Sequence, residues 1–177
     1  MSNEQLWAPW RLEYILGGND DPEPCGPEKL LPGADPECFL CRANAAGNDR
    51  RRGIVQRGKH TVTLLNRYPY NNGHLLIAPS RHLARLDELG LEIEAELSRQ
   101  ITLMTGLLEE VLKPQGFNIG VNLGRAAGAG LPGHLHWHVV PRWIGDTNFM
   151  PAIAGVHTIP QSLDALWDLL TEELNSK

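Results

Sequence analysis

The stretch GHLHWHVVPRW, residues 133–143, sets His134, His136 and His138 at every second position of a chain that has seven histidines in all. A period of two is the period of a β-strand. The three imidazoles are therefore expected on one face, with Leu135, Trp137 and Val139 on the other. Imidazoles brought together resist protonation, because charging one raises the cost of charging the next. Such a cluster needs something to hold it, and three readings compete. In the first the rings serve packing alone, in the second they share a metal ion as i and i+2 neighbours, and in the third one is a nucleophile that the others position.

The segment that delivers the chain into this strand, GRAAGAGLPG (124–133), helps to choose. Ala127-Gly128-Ala129-Gly130 offers backbone N–H groups that side chains do not obstruct, an arrangement suited to an anion such as phosphate. A metal site has no need of it. Three aligned histidines just after such a loop favour a phosphate-bearing substrate.

Working outward, TVTLLN (61–66) reads as a strand, Pro69 to Gly73 as a turn, and HLLIA (74–78) as the return strand. Ile93, Leu97, Ile101, Met104, Leu108 and Val111 form one apolar stripe, which predicts a helix over 91–112 that Pro114 and Gly116 stop. Phe117, Ile119 and Val121 alternate as in a strand, and a last helix is expected from Ser162, its cap, to Leu174. This order predicts an α+β fold: a mostly antiparallel sheet with one long helix and a C-terminal helix. Residues 1–177 suit a single domain. Residues 17–37 hold five prolines, four glycines and six acidic residues, so they read as a loop insertion in which Cys25 is incidental.

The bulk properties exclude several classes of function. A net charge of −5 opposes coating of nucleic acid or anionic lipid, so neither is expected as a partner. The opening MSNEQLWAPWRLEYI has no basic region followed by an apolar run, and stretches such as LLIA are far too short to span a bilayer. Three cysteines do not make a secreted disulfide framework, which favours a cytoplasmic protein with reduced thiols. The Cys38-x-x-Cys41 pair reads equally as a redox couple, half of a zinc site or a coincidence. His74 can be an ordinary hairpin histidine, and Asn66 a strand-end cap before the turn.

HLHWHVV resembles the His-φ-His-φ-His-φ-φ signature of the histidine-triad (HIT) superfamily of nucleotidyl transferases and hydrolases, with Trp137 bulkier than the usual aliphatic residue. LLNRYPYNNGHLLIAPSRH (64–82) is similar to that superfamily's Asn/Asp strand and Gly-His hairpin. APWRLEYI (8–15), GVNLGRAAGAG and PRWIGDTNFMP resemble its diadenosine tetraphosphate phosphorylase-like branch. The resemblance implies a HIT-like fold and cleavage of dinucleoside polyphosphates. His136 would be the nucleophile that forms a covalent adenylyl-histidine. Phosphate would be the acceptor, with water the alternative; a nucleoside phosphoramidase or a low-turnover nucleotide-binding module are further possibilities. By the same resemblance His138 and His74 complete the catalytic set. Asn66 would hold the ribose, and Asn122, Gly128, Ala129, Gly130 and His138 would serve the nucleotide. Some relatives bind structural zinc through a CxxC pair, a histidine after the hairpin and the first histidine of the triad. Those positions here are Cys38, Cys41, His82 and His134. Arg125 and Arg142 are candidates for positive charge near the phosphates, Trp137 is expected in core or interface, and a homodimer is expected because HIT proteins usually pair.

Overall fold

In the computed structural model of the chain, residues 29–45, 47–147 and 159–176 are described. Cys25, the stretch APWRLEYI and the last residues of PRWIGDTNFMP fall outside them. Of the expected insertion, residues 29–37 are described and contain turns without helix or strand.

Helices α1 (Phe39–Asn44) and α2 (Asp49–Arg52) lead into β1 (Ile54–Arg57), β2 (Thr61–Leu65) and β3 (Leu75–Pro79). A 3₁₀ turn (Leu86–Glu88), the long α3 (Leu91–Leu112), β4 (Gly116–Val121), β5 (Trp137–Arg142) and α4 (Leu163–Asn175) follow. The strands form one sheet in the order β1-β2-β3-β5-β4, antiparallel at every pairing. The α+β fold is thus present, with the long helix over the expected residues. Three elements lack a strong local signal and were not expected: α1, α2 and β1.

Strand alternation divides the core in two. Leu65, Leu75, Ile77 and Val139 point to the face covered by α3 and α4, where Leu97, Met104, Leu107, Leu108, Leu166 and Leu170 pack against them. Val62, Leu64, Leu76 and Ala78 point the other way, onto Cys38, Leu40, Cys41 and Ile54. α3 ends when Lys113 enters the left-handed region (φ 49°) just before Pro114, so Gly116 does not stop the helix but opens β4. The Ser162 side chain accepts from the Ala165 amide and caps α4, as expected. Trp167 Nε1 then ties that helix to the Ile54 carbonyl at 2.8 Å.

The turn before β3 requires glycine. Gly73 has φ 77°, and a Cβ there would lie 2.6 Å from Leu112 Cδ1 and 3.0 Å from Pro141 Cγ. Close packing of this turn against α3 and β5 fixes where His74 enters the sheet.

The expected histidine strand needs a correction. β5 begins at Trp137, so His134 and His136 precede it. The β3–β5 register runs Leu75↔Val139, Leu76↔His138, Ile77↔Trp137, which would place Leu135 opposite Pro79. Proline has no N–H to continue the ladder, and the Pro79 carbonyl is taken by the His134 side chain. The Leu135 amide bonds instead to Leu83 O at 2.7 Å. Only His138 of the three is therefore on a strand, while His134 reaches Cys38 and Cys41 on the side of the sheet to which Leu76, the partner of His138, also points.

Candidate functional site

The His134 ring faces two cysteines. Its Nδ1 lies 3.3 Å from Cys38 Sγ and 3.6 Å from Cys41 Sγ, and His82 Nδ1 lies 3.3 Å from Cys41 Sγ. The four ligand atoms are all within 4.8 Å of one another, so Cys38, Cys41, His82 and His134 can hold one metal ion. Two thiols and two imidazoles are a donor set suited to a closed tetrahedral ion, whose ligand–ligand edges run about 3.3–3.8 Å. The ring orientations agree. His134 Nε2 contacts Pro79 O at 2.9 Å; a carbonyl can only accept, so Nε2 carries the proton and Nδ1 presents a lone pair to the sulfurs. Asp35 lies 3.9 Å from His82 Nε2 and favours the same tautomer there. Burial pushes the Cys38 thiol up to about 12 and the His134 imidazole down to about 4, the latter partly offset by its bond to Pro79. Both shifts disfavour charge on these groups in the interior.

His136 is held by the same loop. Its Nδ1 contacts the His134 carbonyl at 2.8 Å, so Nδ1 is the donor and Nε2 keeps a lone pair. At 6% exposure its burial lowers the ring's proton affinity, opposed by the bond to that carbonyl. Neutral imidazole with a bare nitrogen is the nucleophilic form.

His138 has the opposite polarity. The Tyr70 amide donates to His74 Nδ1 at 3.0 Å, and Asn66 Nδ2 lies 3.2 Å from the same nitrogen. With Nδ1 accepting, His74 Nε2 carries the proton and donates across 3.0 Å to His138 Nδ1. His138 is left with Nε2 as its protonated nitrogen. The His136 and His138 rings meet edge to face with centroids 5.1 Å apart, so a bare nitrogen and an N–H donor belong to neighbouring rings.

Asn66 is the turn cap expected of it, its Oδ1 accepting from the Tyr68 amide, and its side-chain amide also reaches His74. Asn122 lies beside the glycine loop, with its Nδ2 4.0 Å from where a Cβ on Gly128 would stand. Within the loop, the Gly128 amide donates to Arg125 O and the Ala129 amide to Gly124 O. The Gly130 amide alone of the three has no such bond among the described residues. Arg142 is committed elsewhere: it forms a two-point pair with Asp146, at 2.6 and 2.9 Å, and reaches Asn118 Oδ1 at 2.7 Å. Trp137 packs partly buried against the α3 core, as expected. Sequence reading missed Tyr70, Asp35 and the carbonyl of Pro79. Only Tyr70 left a trace, as an aromatic residue inside the turn before Gly-His.

The sequence pattern of the HIT domain matches residues 49–143. An AP-4-A phosphorylase of Mycobacterium tuberculosis is 38% identical over 170 residues, 96% of this chain and 84% of that protein. The asymmetrical bis(5'-nucleosyl)-tetraphosphatase of Schizosaccharomyces pombe is 30% identical over 89 residues, 50% of this chain and 48% of that one. Among solved structures, a hypothetical histidine triad nucleotide-binding protein of Sulfolobus tokodaii superposes with a TM-score of 0.58 at 25% identity, covering 70% of this chain and 84% of its own.

Proposed function

As this chain belongs to the HIT domain family, we propose that it cleaves dinucleoside polyphosphates, diadenosine tetraphosphate first among them, through an adenylyl-histidine formed on His136. It is an enzyme of the HIT type, a nucleotidyltransferase or hydrolase. The observation that carries the reading is the opposite polarity of the two neighbouring rings: a bare Nε2 on His136 and a protonated Nε2 on His138.

In the first step His136 Nε2 attacks the α-phosphorus, an N–P bond forms, and the P–O bond to the remaining phosphates breaks. The proton stays on Nδ1, hydrogen-bonded to the His134 carbonyl, so the adenylated ring is cationic and leaves in the second step as neutral imidazole. The ring itself neither gains nor loses a proton. His138 Nε2–H donates a hydrogen bond to the phosphoryl or leaving oxygen as charge gathers there, with the Gly130 amide as a second donor. Asn66 and Asn122 serve the ribose and α-phosphate, with Gly128 and Ala129 shaping the loop around it.

We read phosphate as the second acceptor, giving ADP and ATP; the 38% identical relative named as a phosphorylase favours this over water. Arg125, on the exposed glycine loop, is the cation offered to the incoming anion. Arg142 is not, because its charge is spent on Asp146. Product analysis on diadenosine tetraphosphate decides it. AMP plus ATP that persists across millimolar phosphate selects the hydrolase, and failure to trap an adenylyl-histidine removes the covalent mechanism.

Zinc is the ion we assign to Cys38, Cys41, His82 and His134. With four protein ligands and no open position, it would brace the loop rather than activate water. For the quaternary state we propose a homodimer. The supports are β4, which lies at the sheet edge with Ile119 46% exposed, and an open groove of about 390 Å³ lined by Leu86, Leu89, Leu97, Ile101 and Trp137. Among the described residues no helix is long and apolar enough to cross a membrane.

A further inference from the structure

Tyr70 lies in the turn YPYNNG and is partly buried. It touches the His74–His138 pair in two ways. Its amide donates to His74 Nδ1 at 3.0 Å, which fixes the proton on His74 Nε2. Its ring lies over both imidazoles: the centroid is 4.7 Å from His74 at an interplanar angle of 37°, and 5.7 Å from His138 at 23°. The two imidazoles themselves are 5.2 Å apart and tilted by 47°. One aromatic plane therefore backs both members of a hydrogen bond that is 3.0 Å long.

A ring-to-ring hydrogen bond between imidazoles is demanding. Each ring has two nitrogens in a fixed plane, and rotation about χ2 by a few tens of degrees points the donor past the acceptor. Stacking restricts that rotation, since an offset aromatic contact is lost when either plane swings out. Misplacement of about 1 Å in a reacting constellation can cost roughly 10²-fold in rate.

The geometry points to Tyr70 as a positioning residue whose aromatic ring locks His74 and His138 in one plane relation, so that His138 keeps its Nε2–H directed at the phosphoryl group. This rests on the role proposed above for His138. The Tyr70 backbone N–H sets the proton on His74, and the side chain keeps the next link of the chain in register.

The test compares Tyr70→Leu, which keeps bulk and backbone N–H but has no flat face, with Tyr70→Phe, which keeps the face. Two readouts are taken: ring ¹⁵N NMR of the full chain, which reports which nitrogen of His138 is protonated, and steady-state kinetics on diadenosine tetraphosphate. Tyr70→Leu is expected to convert His138 from the single Nε2–H form to a mixture of tautomers. It should lower kcat by roughly 10- to 100-fold with KM changed less than about threefold. Tyr70→Phe should restore both. An unchanged His138 signature in Tyr70→Leu overturns the inference, whatever the rate or melting temperature does. So does equal damage in Tyr70→Phe, which would assign the effect to the hydroxyl. A wild-type chain that does not turn over the dinucleotide defeats the proposed function, while the NMR comparison still decides the role of Tyr70.

Discussion

The cysteine–histidine cluster and the His74–His138 pair fix their imidazoles by the same device with opposite outcomes. At the cluster a carbonyl, Pro79 O, takes the proton-bearing nitrogen of His134 and leaves a lone pair facing the sulfurs. At the pair a backbone amide, that of Tyr70, fills the lone pair of His74 and leaves a proton facing His138. A carbonyl partner makes the far nitrogen a ligand or nucleophile, while an amide partner makes it a donor. His136, held by a carbonyl, falls in the first class despite its place next to His138. His134 links the cluster to His136, since its ring faces the cysteines and its backbone oxygen orients the His136 ring.

The largest expected effect lies where both regions converge. His136→Ala should lower kcat by several orders of magnitude while nucleotide affinity and the melting temperature stay near wild type, as for loss of a covalent nucleophile. Single-turnover kinetics with equilibrium binding check it, and substantial residual turnover in a clean preparation would move the nucleophile elsewhere.

The next test breaks the cluster without touching the pair. Cys38→Ser should lose the bound metal, measured as metal per chain on untagged protein. It should also forfeit the associated stabilisation, about 4 kcal/mol for an ion present at a thousandfold its dissociation constant. One zinc per chain in that variant would mean that the ion sits at other residues.

Acid separates the regions more gently. In metal-free protein the buried His134 has its folded proton affinity lowered to about 4 from an ordinary 6.5. Between those values the unfolded chain binds a proton that the folded chain refuses. Stability is therefore complete above pH 6.5 and falls as the pH drops to 4, by about 3 kcal/mol in all. Urea unfolding across that range should show this slope, and His134→Leu should flatten it; an unchanged slope would assign the acid sensitivity to another group. With metal bound, the same acidification should release the ion, because protons compete for its ligands.

The smallest effect concerns the second step. Arg125→Ala should reduce the acceleration by added phosphate roughly tenfold, or about 1.4 kcal/mol, while formation of the adenylyl-enzyme is nearly unchanged. Equal loss in both steps would make Arg125 a general substrate contact.

Much of this molecule is written locally. The hairpin from Thr61 to Ala78, the helix over 91–112, strand β4 and the Ser162-capped final helix follow from periods of 2.0 and 3.6 and from turn residues, which act over a few positions. The histidines also stand out in the sequence as a candidate site, because their spacing is improbable for packing alone. α1, α2 and β1 are short and carry little periodicity, and β1 finds its partners in β2 and α4, so their residues alone do not announce them.

Tertiary structure decided the division of labour among the imidazoles. The spacing His-x-His-x-His treats the three alike. Yet His134 is drawn to cysteines more than ninety positions away, because Pro79 ends the ladder opposite Leu135 and offers its carbonyl. The same holds for protons. Which nitrogen of His74, His136 or His138 carries one depends on whether a carbonyl or an amide arrives beside it. The sequence by itself determined the longer elements and the histidines and cysteines that could do chemistry. Only the packed chain, by bringing backbone donors and acceptors of distant segments against the rings, decided which of them faces the cysteines, which keeps a bare nitrogen and which presents an N–H.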